Sequence, residues 1–191
     1  MASGGSSVRA VWTLGLLVVM MASSDGADQP PVTRFLPSLD LVAYRSGTRP
    51  PPFTGRTVDA RQLSLTELQG RVVIVNFWAS WCLECRPEMS VFEKLHRELA
   101  SRGLAVIGIN AREDKEAVGR YATELGLTFP LVLDAGGRTS DLYGVIGIPT
   151  TFLVGRDGRA VAFGVGPRDW SGPAGRALIE ALLAEPVSHR P

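Results

Sequence analysis

An α/β sandwich built on a mixed β-sheet is the fold this sequence predicts, and three observations predict it. Short β-branched runs alternate with segments of helical periodicity through the middle of the chain. Two strand-like runs then flank Gly155-Arg-Asp-Gly158, a hairpin signature, and an apolar helical segment closes the chain. Composition agrees, because 191 residues with 45% hydrophobic and 20% charged content suffice for one domain and its core, with leader sequence to spare.

The first strand is Arg71-Val-Val-Ile-Val-Asn-Phe-Trp78, a continuous apolar run suited to a strand covered on both faces. Glu84 to Arg102 follows as a helix, with Met89, Phe92, Leu95 and Leu99 recurring three or four apart and Gly103 as its stop. Leu104 to Ile109 is a second buried strand, and Glu113 to Leu125 a second helix ending at Gly126. Pro130 to Leu133 is a third short strand, followed by a turn at Asp134-Ala-Gly-Gly137 and a short helix to Tyr143. Thr150–Val154 and Ala160–Gly164 form the hairpin, and Ala174 to Ala184 is the last helix.

Upstream of this domain the chain reads differently. Residues 1–8 are small and polar, Arg9 is the lone cation, and Ala10 to Ala22 is a mostly apolar run of thirteen residues. Ala22-Ser23-Ser24 has the small-x-small pattern of a cleavage site, so residues 1–24 are expected to be a signal peptide or an N-terminal membrane anchor. The run is short for a membrane span, which takes about 20 apolar residues. A periplasmic or other extracytoplasmic location follows as an expectation. Residues 25–51 hold five of the 13 prolines, Pro30, Pro31, Pro37, Pro50 and Pro51, and read as a linker, with an apolar patch from Leu36 to Tyr44 that could pack on the domain. The domain is expected over 52–186, with a flexible tail at 187–191.

Charge excludes one class of partner. Twenty Lys and Arg against 19 Asp and Glu leave a net charge of only +1, which argues against nucleic acid as a partner. The two cysteines, Cys82 and Cys85, close so small a loop that a structural bridge between them would stabilise little. Reactivity explains them better. Cys82 follows the first strand at the start of the helix, where free backbone N–H groups and the positive helix terminus favour a thiolate. Cys85, one turn on, can resolve a mixed disulfide. A CxxC pair is also half of a zinc site, which keeps a metal-binding or metallochaperone module as an alternative. Zinc takes four Cys or His ligands, however, and the only histidines are His96 and His189, both read as surface residues. Haem attachment through CxxCH is excluded by Arg86.

Val75-Asn-Phe-Trp-Ala-Ser-Trp-Cys-Leu-Glu-Cys-Arg-Pro-Glu-Met89, with Gly147-Ile-Pro-Thr-Thr-Phe152 downstream, resembles the thioredoxin superfamily. More narrowly it resembles the TlpA/ResA-type periplasmic thiol–disulfide oxidoreductases, from Leu65–Arg71 through Gly166-Pro-Arg-Asp-Trp170 to the final helix. The resemblance implies a thioredoxin fold: a central mixed β-sheet flanked by helices, with an N-terminal extension and a central strand–helix insertion. It implies that Cys82 is the nucleophile and Cys85 the resolving thiol. Pro149 matches a cis-proline opposite the dithiol, and Ile148 matches the residue whose backbone pairs with a substrate chain. Glu88 matches a carboxylate that exchanges a proton with the second cysteine. It is the better candidate because Asn76 stands where cytosolic thioredoxins carry a buried aspartate. Trp81 is expected to flank the site as a recognition surface, and Trp78 to pack nearby.

Two departures bear on redox strength. Leu83 and Glu84 lie between the cysteines, where the family commonly has proline before the second. A carboxylate there opposes thiolate formation and favours a reducing role, unless Glu84 is simply an exposed first-turn residue. Ser90 holds the place of the helix proline and Pro87 sits earlier, so any kink is expected nearer the site. The implied activity is reduction of disulfides in exported partners such as apocytochrome c, with a membrane thiol-reductant protein as electron donor and neither cofactor nor metal. A peroxiredoxin-like peroxidase is the second alternative, since those enzymes share the fold. Their proline- and threonine-led single cysteine is missing here.

Overall fold

Val72 to Trp78 is apolar at all but one position because both faces of its strand are covered, and the sheet grows outward from it. The computed structural model describes Met1 and residues 31–187. Its strands are β1 (Val42–Ala43), β2 (Thr54–Arg56), β3 (Gln62–Ser64), β4 (Val72–Trp78), β5 (Leu104–Ala111), β6 (Leu131–Asp134), β7 (Thr150–Val154) and β8 (Ala160–Val165). Its helices are α1 (Cys85–Leu99), α2 (Lys115–Leu125), α3 (Arg138–Leu142) and α4 (Pro173–Ala184). Six strands form one mixed sheet in the order β1-β8-β7-β4-β5-β6, while β2 and β3 pair as a separate ribbon. The β4, β5 and β6 strands run parallel, and β7, β8 and β1 are added antiparallel. The order agrees with the sheet that the resemblance implies, with the inserted strand β6 at one edge and β1, from the N-terminal extension, at the other.

Strand periodicity divides the core. Val72, Ile74 and Trp78 of β4 face a layer made by α1, α2, α4 and the N-terminal segment, whereas Val73, Val75 and Phe77 face Phe53, Leu65, Tyr143 and Phe152. Asn76 falls on the α1 side by the same alternation and is buried there.

The differences from the expected elements have local causes. The β5 strand runs on through Asn110 and Ala111 because they pair with Leu133 and Asp134 of β6. The second helix begins at Lys115, capped by Asp114, whose Oδ1 accepts from the Ala117 N–H at 2.7 Å. The first helix ends at Leu99, and a 3-10 turn over Ala100–Arg102 leads to Gly103 with φ of 102°. Pro87 lies in the first turn of α1, where a backbone N–H has no acceptor within the helix. The expected kink near the site is therefore not needed, and α1 runs to Leu99 without a break.

The proline-rich stretch expected as a linker is packed structure in its described part. Two 3-10 turns, Pro31–Phe35 and Pro37–Leu39, lie against α4, and β1 pairs with β8. Val32, Leu36, Leu39 and Leu41 are buried in the core on the α1 side of the sheet. A side chain at Gly164 would collide with Leu41. The signal peptide or anchor over 1–24 and the segment 25–30 fall outside the described residues apart from Met1, as does the tail over 188–191. Among the described residues no helix is long and apolar enough to cross a membrane.

Candidate active site

β4 delivers the cysteines to the end of the sheet where β7 begins. Phe77 pairs with Thr150 in the antiparallel β4–β7 ladder, so Pro149 sits beside the last residue of β4. The Ile148–Pro149 peptide bond is cis. Both the turn that carries the cysteines and the loop that carries Pro149 thus emerge at one edge.

Cys82 and Cys85 are joined by a disulfide, with their Cα atoms 5.3 Å apart. The Cys82 N–H donates to the Ala79 carbonyl at 3.2 Å, and the Cys85 N–H approaches the Cys82 carbonyl at 3.2 Å and the Cys82 Sγ at 3.1 Å. Cys85 opens α1, so this donor is one of the free amides at a helix N-terminus. Such a donor stabilises a thiolate on Cys82 once the bridge is reduced. Cys82 retains 7% of its surface while Cys85 has none, which makes Cys82 the sulfur a partner can reach.

Glu88, one turn beyond Cys85, is 97% buried in the layer between α1 and the sheet, with only 3% exposed. Its Oε1 accepts from the Trp170 indole N–H at 2.6 Å and from the Arg168 backbone N–H at 2.8 Å. Its Oε2 is buried and has no hydrogen-bond partner among the described residues. Burial pushes the carboxyl up to about 7, against the lowering effect of those two donors and smaller ones from the Arg168 charge and the Asn76 side chain. Asn76 itself donates to Thr151 Oγ1 at 3.0 Å.

The rim is apolar. Trp81 is 68% exposed and Leu83 is 84% exposed, beside an exposed Glu84 that makes no cap bond. Across the edge Ile148 is half-buried, and its backbone makes no hydrogen bond among the described residues. The Pro149 carbonyl accepts from the Gly166 N–H at 2.7 Å and the Gly147 carbonyl from Thr150 Oγ1 at 2.6 Å, which hold the cis-proline loop on β8 and β7. Trp78 is buried against Tyr121 beneath the site.

Sequence reasoning missed two groups. Glu113 accepts from the Ser80 N–H at 2.7 Å, from the Ser80 hydroxyl, and from Asn110 Nδ2 at 2.6 Å, tying the turn before Trp81 to the end of β5. Polar residues at the end of a buried strand adjoining the motif strand were the available signal. Trp170 and Arg168 carried no local signal, since they lie 82 and 80 residues from Glu88. One expectation is corrected: His96 is half-buried rather than on the surface, and burial lowers its pKa. His189 lies outside the described residues.

The chain matches the AhpC/TSA family over residues 46–162. It is 33% identical over 150 residues to the thioredoxin-like protein YneN of Bacillus subtilis, covering 77% of this chain and 85% of that one. It is 35% identical over 122 residues to the thiol–disulfide oxidoreductase ResA of Halalkalibacterium halodurans, covering 64% and 69%. A thioredoxin-family thiol:disulfide interchange protein of Chlorobium tepidum superposes with a TM-score of 0.65 at 31% identity, over 74% of this chain and all of that one. With a Cys-x-x-Cys disulfide at a helix N-terminus beside a cis-proline, the chain belongs to the AhpC/TSA family and, within it, to the ResA/TlpA-type thiol–disulfide oxidoreductases.

Proposed function

We propose that this thiol–disulfide oxidoreductase works outside the cytoplasm as a reductant of disulfides in exported proteins, apocytochrome c among them. The observation that carries the reading is the stacking of three groups along the start of α1: reachable Cys82, buried Cys85, and buried Glu88 with a carboxyl that titrates near neutrality. The leader pattern at 1–24 supports export, and the resemblance supports the partner and a membrane thiol-reductant donor.

The reaction starts from the dithiol. Cys82 thiolate, favoured by the helix terminus, attacks one sulfur of a partner disulfide and expels the other as a thiolate. Trp81 and the free backbone of Ile148, with Pro149 behind it, seat the partner chain beside the dithiol. Cys85 then passes its proton to the Glu88 carboxylate and attacks Cys82 Sγ. The Cys82–Cys85 disulfide forms and the partner's second thiol leaves reduced. Leu83 and Glu84 adjust the potential: the exposed Glu84 carboxylate opposes negative charge on the sulfurs and so favours the disulfide form of the enzyme, making the dithiol the better reductant.

A Cys85→Ser variant expressed in the native host tests this. Its Cys82 is expected to accumulate mixed disulfides with exported, cysteine-bearing proteins, identified by mass spectrometry after non-reducing separation. Recovery of no covalent partner while Cys82 remains intact overturns the mechanism.

A further inference from the structure

Glu88 is held by a loop that the chemistry described so far does not use. Pro167 to Trp170 follows β8 and precedes α4, and it brings two donors to a single oxygen: the Trp170 indole N–H at 2.6 Å and the Arg168 backbone N–H at 2.8 Å, both to Oε1. Trp170 is fully buried and packs its ring on Phe92 of α1, so its N–H has one fixed direction. The Arg168 side chain is pinned in turn, its Nη2 donating to the Asp40 carbonyl at 3.0 Å and to Asp40 Oδ2 at 3.1 Å in the N-terminal extension. Gly175, at the start of α4, lies so close to this loop that a Cβ there would stand 2.7 Å from backbone atoms of Asp169 and Trp170. The loop is wedged from three sides.

We propose that Trp170 is the positioning residue of Glu88: together with the Arg168 N–H it saturates Oε1 and reserves Oε2 for the proton that leaves Cys85. This rests on the reading of Glu88 as the proton acceptor of the resolving step. A carboxylate with two donors on one oxygen is protonated on the other, because protonating the occupied oxygen would displace a donor in a buried site. The occupied oxygen also keeps enough charge stabilisation for the anion to exist at neutral pH despite burial. The step balances: the Cys85 proton moves to Oε2, Cys85 Sγ bonds to Cys82 Sγ, and the partner sulfur leaves with the electron pair of the broken bond. The other groups about Glu88 are Cys85 on its own helix, Asn76 on β4 and the Arg168 guanidinium, with Glu84 and Asp169 at the mouth of the surface pocket that Glu88 lines.

The test uses reduced protein and a dithiobis-nitrobenzoate probe, which first caps Cys82 and then, as Cys85 attacks, releases a second coloured thiolate. The rate of that second release is measured against pH. In the wild type it rises through the titration of Glu88. Trp170→Phe removes the N–H, and site-specific benzothienylalanine at position 170 removes it while keeping the bicyclic shape, so the outcome does not depend on how well the phenylalanine packs. Both are expected to move the midpoint upward by about one pH unit, the loss of one donor to a buried anion. Arg168→Ala, which keeps the backbone donor, is expected to move it less in the same direction. Glu88→Gln is expected to abolish the dependence and to make the position-170 changes silent. If Glu88→Gln abolishes it but both position-170 variants leave the midpoint in place, the positioning role is overturned. If Glu88→Gln leaves the dependence intact, the underlying role of Glu88 falls and the proposal with it.

Discussion

Glu88 and His96 sit two turns apart on α1, and burial moves their titrations in opposite senses. Glu88 rises from an ordinary 4.5 to about 7 in the folded chain, so between those values the native state holds a proton that the unfolded state has released. Its contribution to stability is complete below pH 4.5 and is lost as pH rises through 7, by about 3 kcal/mol in all. The His96 pKa is lowered from 6.5, so the native state resists protonation there and stability falls as pH drops through 6.5. The two slopes partly cancel in the wild type, and a difference measurement separates them. Urea unfolding of the oxidised protein from pH 4.5 to 8 is expected to show Glu88→Gln gaining on the wild type as pH rises. Parallel curves for the two proteins would mean that Glu88 does not titrate in this range.

At the scale of elements, β5 and the cysteine turn depend on one small residue. Gly108 lies in β5 opposite Asn76, and a Cβ there would stand 2.8 Å from both Leu131 Cδ2 and Trp78 Nε1, with Phe129 at 3.2 Å. Trp78 is the last residue of β4, and the turn to Cys82 starts from it. Gly108→Ala is therefore expected to cost about 1–3 kcal/mol of stability and to slow thiol exchange at Cys82 by displacing Trp78. Calorimetry and the rate of reaction with a small disulfide check both, and an unchanged Tm would show that the indole swings aside freely. The turn is also clamped through Ser80 and Glu113 on the β5–α2 connection, so its position is set by two strands rather than one.

Across the whole molecule, the N-terminal segment is part of the fold. Leu36 is buried with Val32, Leu39 and Leu41 in the α1-side core, and Asp40 reaches Arg168 in the loop that holds Glu88. Leu36→Ala is expected to destabilise the oxidised protein by about 2–4 kcal/mol, the cost of a core cavity. A loss under about 0.5 kcal/mol, the range of surface positions, would mean that the segment detaches in solution. The apolar patch from Leu36 to Tyr44 was legible in the sequence, but its 3-10 turns were not, because prolines and short turns carry no amphipathic pattern to read.

The sequence by itself determined the dithiol, its place between a buried strand and a helix, and the order of the main elements. Those follow from neighbours along the chain: an i, i+3 cysteine spacing, a continuous apolar strand, and glycines that end helices. The short β2–β3 ribbon escaped because three residues per strand show no period. Only the tertiary structure decided that Glu88 is buried and that its donors come from Arg168 and Trp170, 80 and 82 residues away. It also decided that Glu113 holds the cysteine turn and that the N-terminal segment completes the core. The physical reason is the same for each. A polar group finds its partner, and an apolar side chain its cover, wherever the packed chain brings one, and no local pattern records where that will be.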